Sequence, residues 1–175
     1  TVIGNRAFGS DAATVVKMAL PFARGLKENH VIPVVKHFPG HGDTMTDSHY
    51  DLPVVTKTKE ELWQQEILPF QAVIDDGIEM VMVAHIALPN VTGNMIPASL
   101  SKEIVTDFLR NELNYQNIVI TDAIDMKALS ERYTLKEICT MAINAGVDII
   151  LMPPESKDAL KVIKEALSEG TIQEE

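Results

Sequence analysis

The sequence predicts an α/β fold built of parallel β/α units, and three observations carry that reading. Segments with the apolar spacing of a helix alternate along the chain with four apolar runs of strand length. Those runs are near-continuously hydrophobic, as expected of parallel strands covered on both faces. A weak internal repeat points the same way. Ile74-Asp75-Asp76-Gly77-Ile78-Glu79-Met80-Val81 resembles Ile143-Asn144-Ala145-Gly146-Val147-Asp148-Ile149-Ile150, each a helix end, a glycine and a strand start.

Taken in order, the elements justify themselves locally. Asp11 is an N-cap candidate, and Val15, Met18, Ala19, Phe22, Ala23 and Leu26 follow the i, i+3, i+4, i+7 stripe of a helix that Pro21 should kink. Val31 to Val35 reads as a short buried strand that empties into a polar loop. Thr58 with Glu61 has capping-box spacing, and Trp63, Ile67, Phe70 and Ile74 continue that helix until Gly77 closes it. Ile78 to Ile86 is the second strand, followed by a long loop rich in Pro, Asn and Gly. Ser101 is expected to cap a third helix through Ile104, Val105, Phe108, Leu109 and Leu113, after which Asn117 to Asp122 reads as a strand ending in a carboxylate. Thr134 and Glu137 form a second capping box, for a helix with Cys139 in its core that ends at Gly146. Val147 to Met152 is the fourth strand. Ser156 is expected to cap the last helix, with Leu160, Ile163 and Leu167 inward and Gly170 as its stop.

Composition narrows the function. With 175 residues, 46% hydrophobic and 23% charged, the chain can bury one sizeable core. Fifteen basic and 25 acidic residues give a formal charge of −10, which argues against nucleic acid as a partner, because phosphate binding draws on clustered Lys and Arg. No apolar run approaches the roughly 20 residues of a membrane span, and a single Cys139 excludes an intramolecular disulfide framework. Thr1-Val2-Ile3-Gly4 reads as the end of something, so the natural protein is expected to extend upstream, where a signal sequence would be invisible. Both the cytoplasm and the cell envelope stay open as locations.

Ionisable chemistry concentrates in Lys36-His37-Phe38-Pro39-Gly40-His41-Gly42-Asp43-Thr44-Met45-Thr46-Asp47-Ser48-His49. Asp47 and His49 stand two apart, so in extended backbone their side chains share a face. A carboxylate there can orient the imidazole and favour its charged form, making a group able to act first as acid and then as base. A metal site built from His37, His41, Asp43 and His49 is the competing reading, although the spacings match no compact zinc motif. Asp122, at a strand end, is on pattern alone either a nucleophile or a helix N-cap, and Asp125 reads as a helix-start carboxylate. Glu79 and Asp148 fall at strand beginnings and read as structural, since in (β/α) barrels the chemistry lies at the strands' carboxyl ends. His85 reads as a buried hydrogen-bonded histidine and His30 as a surface one.

The run Lys36 to Gly42 followed by Asp47-Ser48-His49 resembles the signature of the β-N-acetylglucosaminidases of glycoside hydrolase family 3. The resemblance spans residues 1–175 and implies a partial catalytic domain, the C-terminal half of a TIM-type (β/α)₈ barrel. It implies a retaining exo-glycosidase that removes terminal β-linked N-acetylglucosamine from muropeptides or chitin fragments. His49 would be the acid/base, assisted by Asp47, with Asp122 the nucleophile because Ile120-Thr121-Asp122-Ala123 resembles the family's nucleophile segment. Arg6, within Ile3-Gly4-Asn5-Arg6-Ala7-Phe8-Gly9, and Lys36 and His37 would bind the sugar, with no cofactor and no metal. Gly40 and Gly42 are candidate hinges for a closing loop. Half a barrel would leave open strand edges, so self-association of the isolated fragment is expected. The alternatives are a phosphorolytic variant and a non-catalytic or metal-binding α/β module.

Overall fold

The computed structural model describes residues 4–41 and 51–172. Within them run α1 (Ala12–Glu28), β1 (Val34–Phe38), α2 (Lys59–Gln64), α3 (Ile67–Asp75), β2 (Met80–Val83), the single turn α4 (Pro89–Thr92), a π-helix (Glu103–Glu112), β3 (Ile118–Thr121), the short α5 (Lys127–Ser130), α6 (Leu135–Ala145) and α7 (Ser156–Ser168). The strands form one parallel sheet in sequence order, β1-β2-β3. The fourth expected strand contracts to a single parallel bridge between Ile120 and Ile149, reinforced where the Leu151 N–H donates to Thr121 Oγ1 at 3.0 Å.

Local signals hold where a side chain can satisfy a helix end. Asp11 accepts from the Thr14 N–H at 2.9 Å, and both capping boxes form, Thr58 with Glu61 and Thr134 with Glu137. Gly77 and Gly146 stop their helices in left-handed backbone, φ 80° and 99°. Two expected caps do not form. The π-helix is preceded by Lys102 with no side-chain cap, while the Ser101 hydroxyl donates to Glu103 at 2.7 Å; α7 begins at Ser156, behind an uncapped Glu155.

Other boundaries shift for identifiable reasons. The helix expected from Thr58 onward is broken into α2 and α3, because Pro69 lacks the N–H that would bond to the Gln65 carbonyl. Its ring falls instead in the first turn of α3, where that N–H would be unpaired anyway. The first strand is Val34–Phe38 rather than Val31–Val35, so Lys36 and His37 lie on the strand itself and not in the loop after it. Of the expected apolar stripes, Met18, Phe22 and Leu160 are exposed; Ala19 and Ala23 pack against the core, and in the last helix Ala159 and Ala166, outside the expected stripe, are the buried residues while Ile163 and Leu167 are half-buried.

The core lies between the sheet and its helices. Phe38, fully buried, meets the rings of Phe70 on α3 and Phe108 on the π-helix edge-on, at 5.2 and 5.7 Å. Burying such a ring stabilises by roughly 1.5–3 kcal/mol, which anchors the end of β1 next to His37. Val81, Val83 and Val119 fill the same layer. The registered residues Val34, Met80 and Ile118, and Met82 with Ile120, belong to the opposite face, where Met80 and Met82 are only half-buried. Glu79 and Asp148 are structural, as their strand-start positions suggest. Glu79 pairs with Lys27 at 2.7 Å, and Asp148 with Arg110 at 2.7 Å while accepting the Val119 N–H. Among the described residues no helix is long and apolar enough to cross a membrane.

Candidate active site

A bulge in β1 brings the first two site residues forward. Val35 lies opposite Val81 and Phe38 opposite Val83, so Lys36 and His37 together face the single Met82. The Lys36–His37 and Phe38–Pro39 peptide bonds are cis. On the far side of β2, β3 leads directly into Asp122, whose N–H donates to the Val83 carbonyl at 3.0 Å, prolonging the ladder by one residue. The carboxylate is held by the Ala123 N–H, 2.9 Å from Oδ1, and its Oδ2 stands 3.7 Å from His37 Nε2. The carboxyl ends of β1 and β3 thus put an imidazole and a carboxylate face to face, with both side chains largely buried.

Asp122 is not a helix cap. The next helix, α5, starts five residues on at Lys127, and among the described residues the Asp122 carboxylate accepts the adjacent N–H rather than one of that helix. Asp125 is exposed and does not cap α5 either, since the preceding residue is Met126 with no side-chain cap, so the helix-start reading of Asp125 is replaced by that of a turn residue. Arg6 sits in a single 3-10 turn, Gly4–Arg6, and its charge reaches the site, acting on His37 together with Lys36 and His41. His41, nearly fully buried, sets its ring edge-on to His37 at 5.6 Å. Asp47 and His49, the expected acid/base pair, lie outside the described residues, as do Gly42 and Asp43. Gly40 is close-packed: its φ is 138°, and a Cβ there would lie 2.6 Å from Cγ of Glu66, whose carboxylate is paired with Lys57 at 2.5 Å. Among the described residues no cluster of three or more His, Cys, Asp or Glu is placed to hold a metal ion.

Burial pushes the His37 imidazole down to about 4, against the pull of Asp122 and with help from the charges of Lys36, His41 and Arg6. His37 is therefore neutral at pH 7. Between about pH 6.5 and 4 the unfolded chain binds a proton that the folded one refuses, so stability falls as pH falls through that window and the loss is complete below it. It amounts to about 3 kcal/mol, added to a loss of the same sign from His85, also held down by burial. Asp11, Asp51, Asp76 and Glu137, whose carboxyls are held below the usual range chiefly by hydrogen bonds, act at lower pH. Urea midpoints measured from pH 7 to 4.5 are expected to fall, and to fall less steeply in His37→Gln.

Fold and site together define a parallel β/α domain whose ionisable side chains gather at the carboxyl ends of the strands, the arrangement on which β/α catalytic domains are built. The chain belongs to the glycosyl hydrolase family 3 N terminal domain family, whose model matches residues 1–175. It is 37% identical to beta-hexosaminidase A of Pseudoalteromonas piscicida over 163 residues, 87% of this chain and 27% of that protein. It is likewise 37% identical to beta-hexosaminidase LpqI of Mycobacterium tuberculosis, over 98% of this chain and 46% of the relative. In structure it resembles a glycoside hydrolase family 3 beta-N-acetylglucosaminidase from Paenibacillus sp. str. FPU-7, with TM-score 0.96, 39% identity, and coverage of 99% of this chain and 34% of that one. The chain thus spans less than half the length of these curated relatives.

Proposed function

We propose that the chain is the second half of the catalytic (β/α)₈ barrel of a retaining exo-β-N-acetylhexosaminidase acting on terminal N-acetylglucosamine. The observation that carries this reading is Asp122 at the end of β3 facing His37 at the end of β1, at the end of the sheet where β/α enzymes work. Four parallel strand positions in sequence order are half of the eight that such a barrel needs. Exposed Val31, Ile32 and Val34 at one edge and Ile149 and Met152 at the other are where the remaining strands would pack, or a second copy of an isolated 175-residue chain.

The assigned roles follow the family resemblance, and the 3.7 Å approach of Asp122 and His37 supports the part of them that falls among the described residues. Asp122 forms a bond to the anomeric carbon as the bond to the leaving oxygen breaks, and His49, oriented by Asp47, gives that oxygen its proton. Water then attacks the same carbon as its bond to the Asp122 carboxylate breaks, and gives its proton to His49. Arg6, Lys36 and His37 hold the sugar. His37 suits that role because its Nε2 is the ring nitrogen turned toward Asp122 at the carboxyl ends of the strands. Phosphorolysis is not the favoured reading, since the curated relatives are named as hexosaminidases. Proton NMR of the intact enzyme hydrolysing an aryl N-acetyl-β-glucosaminide is expected to show the β-anomer of the free sugar first; the α-anomer first would exclude double displacement.

A further inference from the structure

We propose that His85, together with Ser99, is a positioning residue that grips the backbone just beyond Asp122 and so sets the direction of its carboxylate, which faces His37. The proposal rests on the reading of Asp122 as nucleophile. His85 is completely buried in the turn that follows β2. Its Nε2 lies 2.9 Å from the Ala123 carbonyl and its Nδ1 2.7 Å from Ser99 Oγ. A carbonyl only accepts, so Nε2 carries the hydrogen; Nδ1 is then the acceptor, and Ser99 donates to it. Burial keeps the ring neutral, and the Ala123 carbonyl fixes this tautomer.

Both ends of the clamp are fixed. The Ala84 N–H donates to the Phe38 carbonyl at 2.9 Å and the Ser99 N–H to the Ala84 carbonyl at 3.1 Å, so His85 is braced against the end of β1 and the Ala98–Leu100 turn. On the other side, Ala123 uses its carbonyl for His85 and its N–H for Asp122 Oδ1. One residue, Ala123, therefore links a rigid imidazole to the carboxylate through the two peptide units that flank its Cα. Displacing reacting atoms by about 1 Å can cost about 10²-fold in rate.

The test is the rate and final extent of labelling of the intact enzyme by a 5-fluoro-N-acetylglucosaminyl fluoride, which loses fluoride as its anomeric carbon bonds to the nucleophile. Its second fluorine slows release, so mass spectrometry counts the sugar on the Asp122 peptide. His85→Leu is expected to reach the same final stoichiometry about 100-fold more slowly. His85→Gln, whose amide can still donate to the Ala123 carbonyl, should recover to within about tenfold of the parent. Ser99→Ala, a smaller change in volume, should slow labelling by about tenfold, and it carries the test if His85→Leu does not fold. Reduced stoichiometry at an unchanged rate constant would reduce His85 to a fold-supporting residue and overturn the proposal. Equal rates for the Leu and Gln variants, or no effect of Ser99→Ala, would overturn it as well. Failure of the underlying reading looks different, because the parent itself would then carry no sugar on the Asp122 peptide.

Discussion

Asp122→Ala is expected to abolish turnover of every substrate, natural or activated, in the intact enzyme. Both halves of a double displacement pass through the bond between this carboxylate and the anomeric carbon, so no leaving group, however good, can bypass its loss. Removing a member of a catalytic constellation costs on the order of 10⁴-fold or more in kcat. The fold should tolerate the change. Among the described residues Asp122 caps no helix and its carboxylate accepts from the neighbouring N–H, while its backbone N–H, which completes the ladder to Val83, is retained in alanine. An unchanged melting temperature with turnover lost would separate chemistry from folding.

His49→Ala, by contrast, should be selective. An activated aryl leaving group departs with little protonic help, whereas a sugar aglycone needs its oxygen protonated as the bond breaks. Loss of a general acid costs typically 10²–10⁴-fold. Hydrolysis of natural substrates should fall by about that factor, while the first step on an aryl glycoside is far less affected. Asp47→Ala should give a milder form of the same defect, through lost orientation and charge-tuning of the imidazole. Comparing kcat on the two substrate classes measures both.

The parts of this protein legible in its sequence are those decided by local chemistry. The capping boxes at Thr58 and Thr134 and the left-handed stops at Gly77 and Gly146 depend on neighbours a few residues away, and they form as expected. Parallel strand order follows from alternating β/α segments and is likewise seen. What sequence did not reveal depends on partners distant along the chain. The bulge that sets Lys36 and His37 against Met82 is a property of the β1–β2 pairing, and its only trace is two consecutive polar residues inside an otherwise apolar strand. The fourth strand shortens to a bridge because, past Ile149, Leu151 bonds to the Thr121 hydroxyl and to the Ile124 N–H in place of a continued strand ladder. His85 was readable as a buried histidine, yet its bond to the Ala123 carbonyl links segments 38 residues apart and has no local signal. His41 was read only as a candidate ligand, and its ring contact with His37 emerges from the turn after β1.

The central claim is that Asp122 is the nucleophile, and the most direct measurement is peptide mass spectrometry of the His49→Ala enzyme mixed with an aryl N-acetyl-β-glucosaminide. With the base for the second step missing, the glycosyl-enzyme should accumulate, and the sugar should be found on the peptide containing Asp122, localised to that side chain by fragmentation. Sugar localised to Asp125 instead, or natural substrates hydrolysed by the His49 variant at the parent's rate, would contradict the assignment.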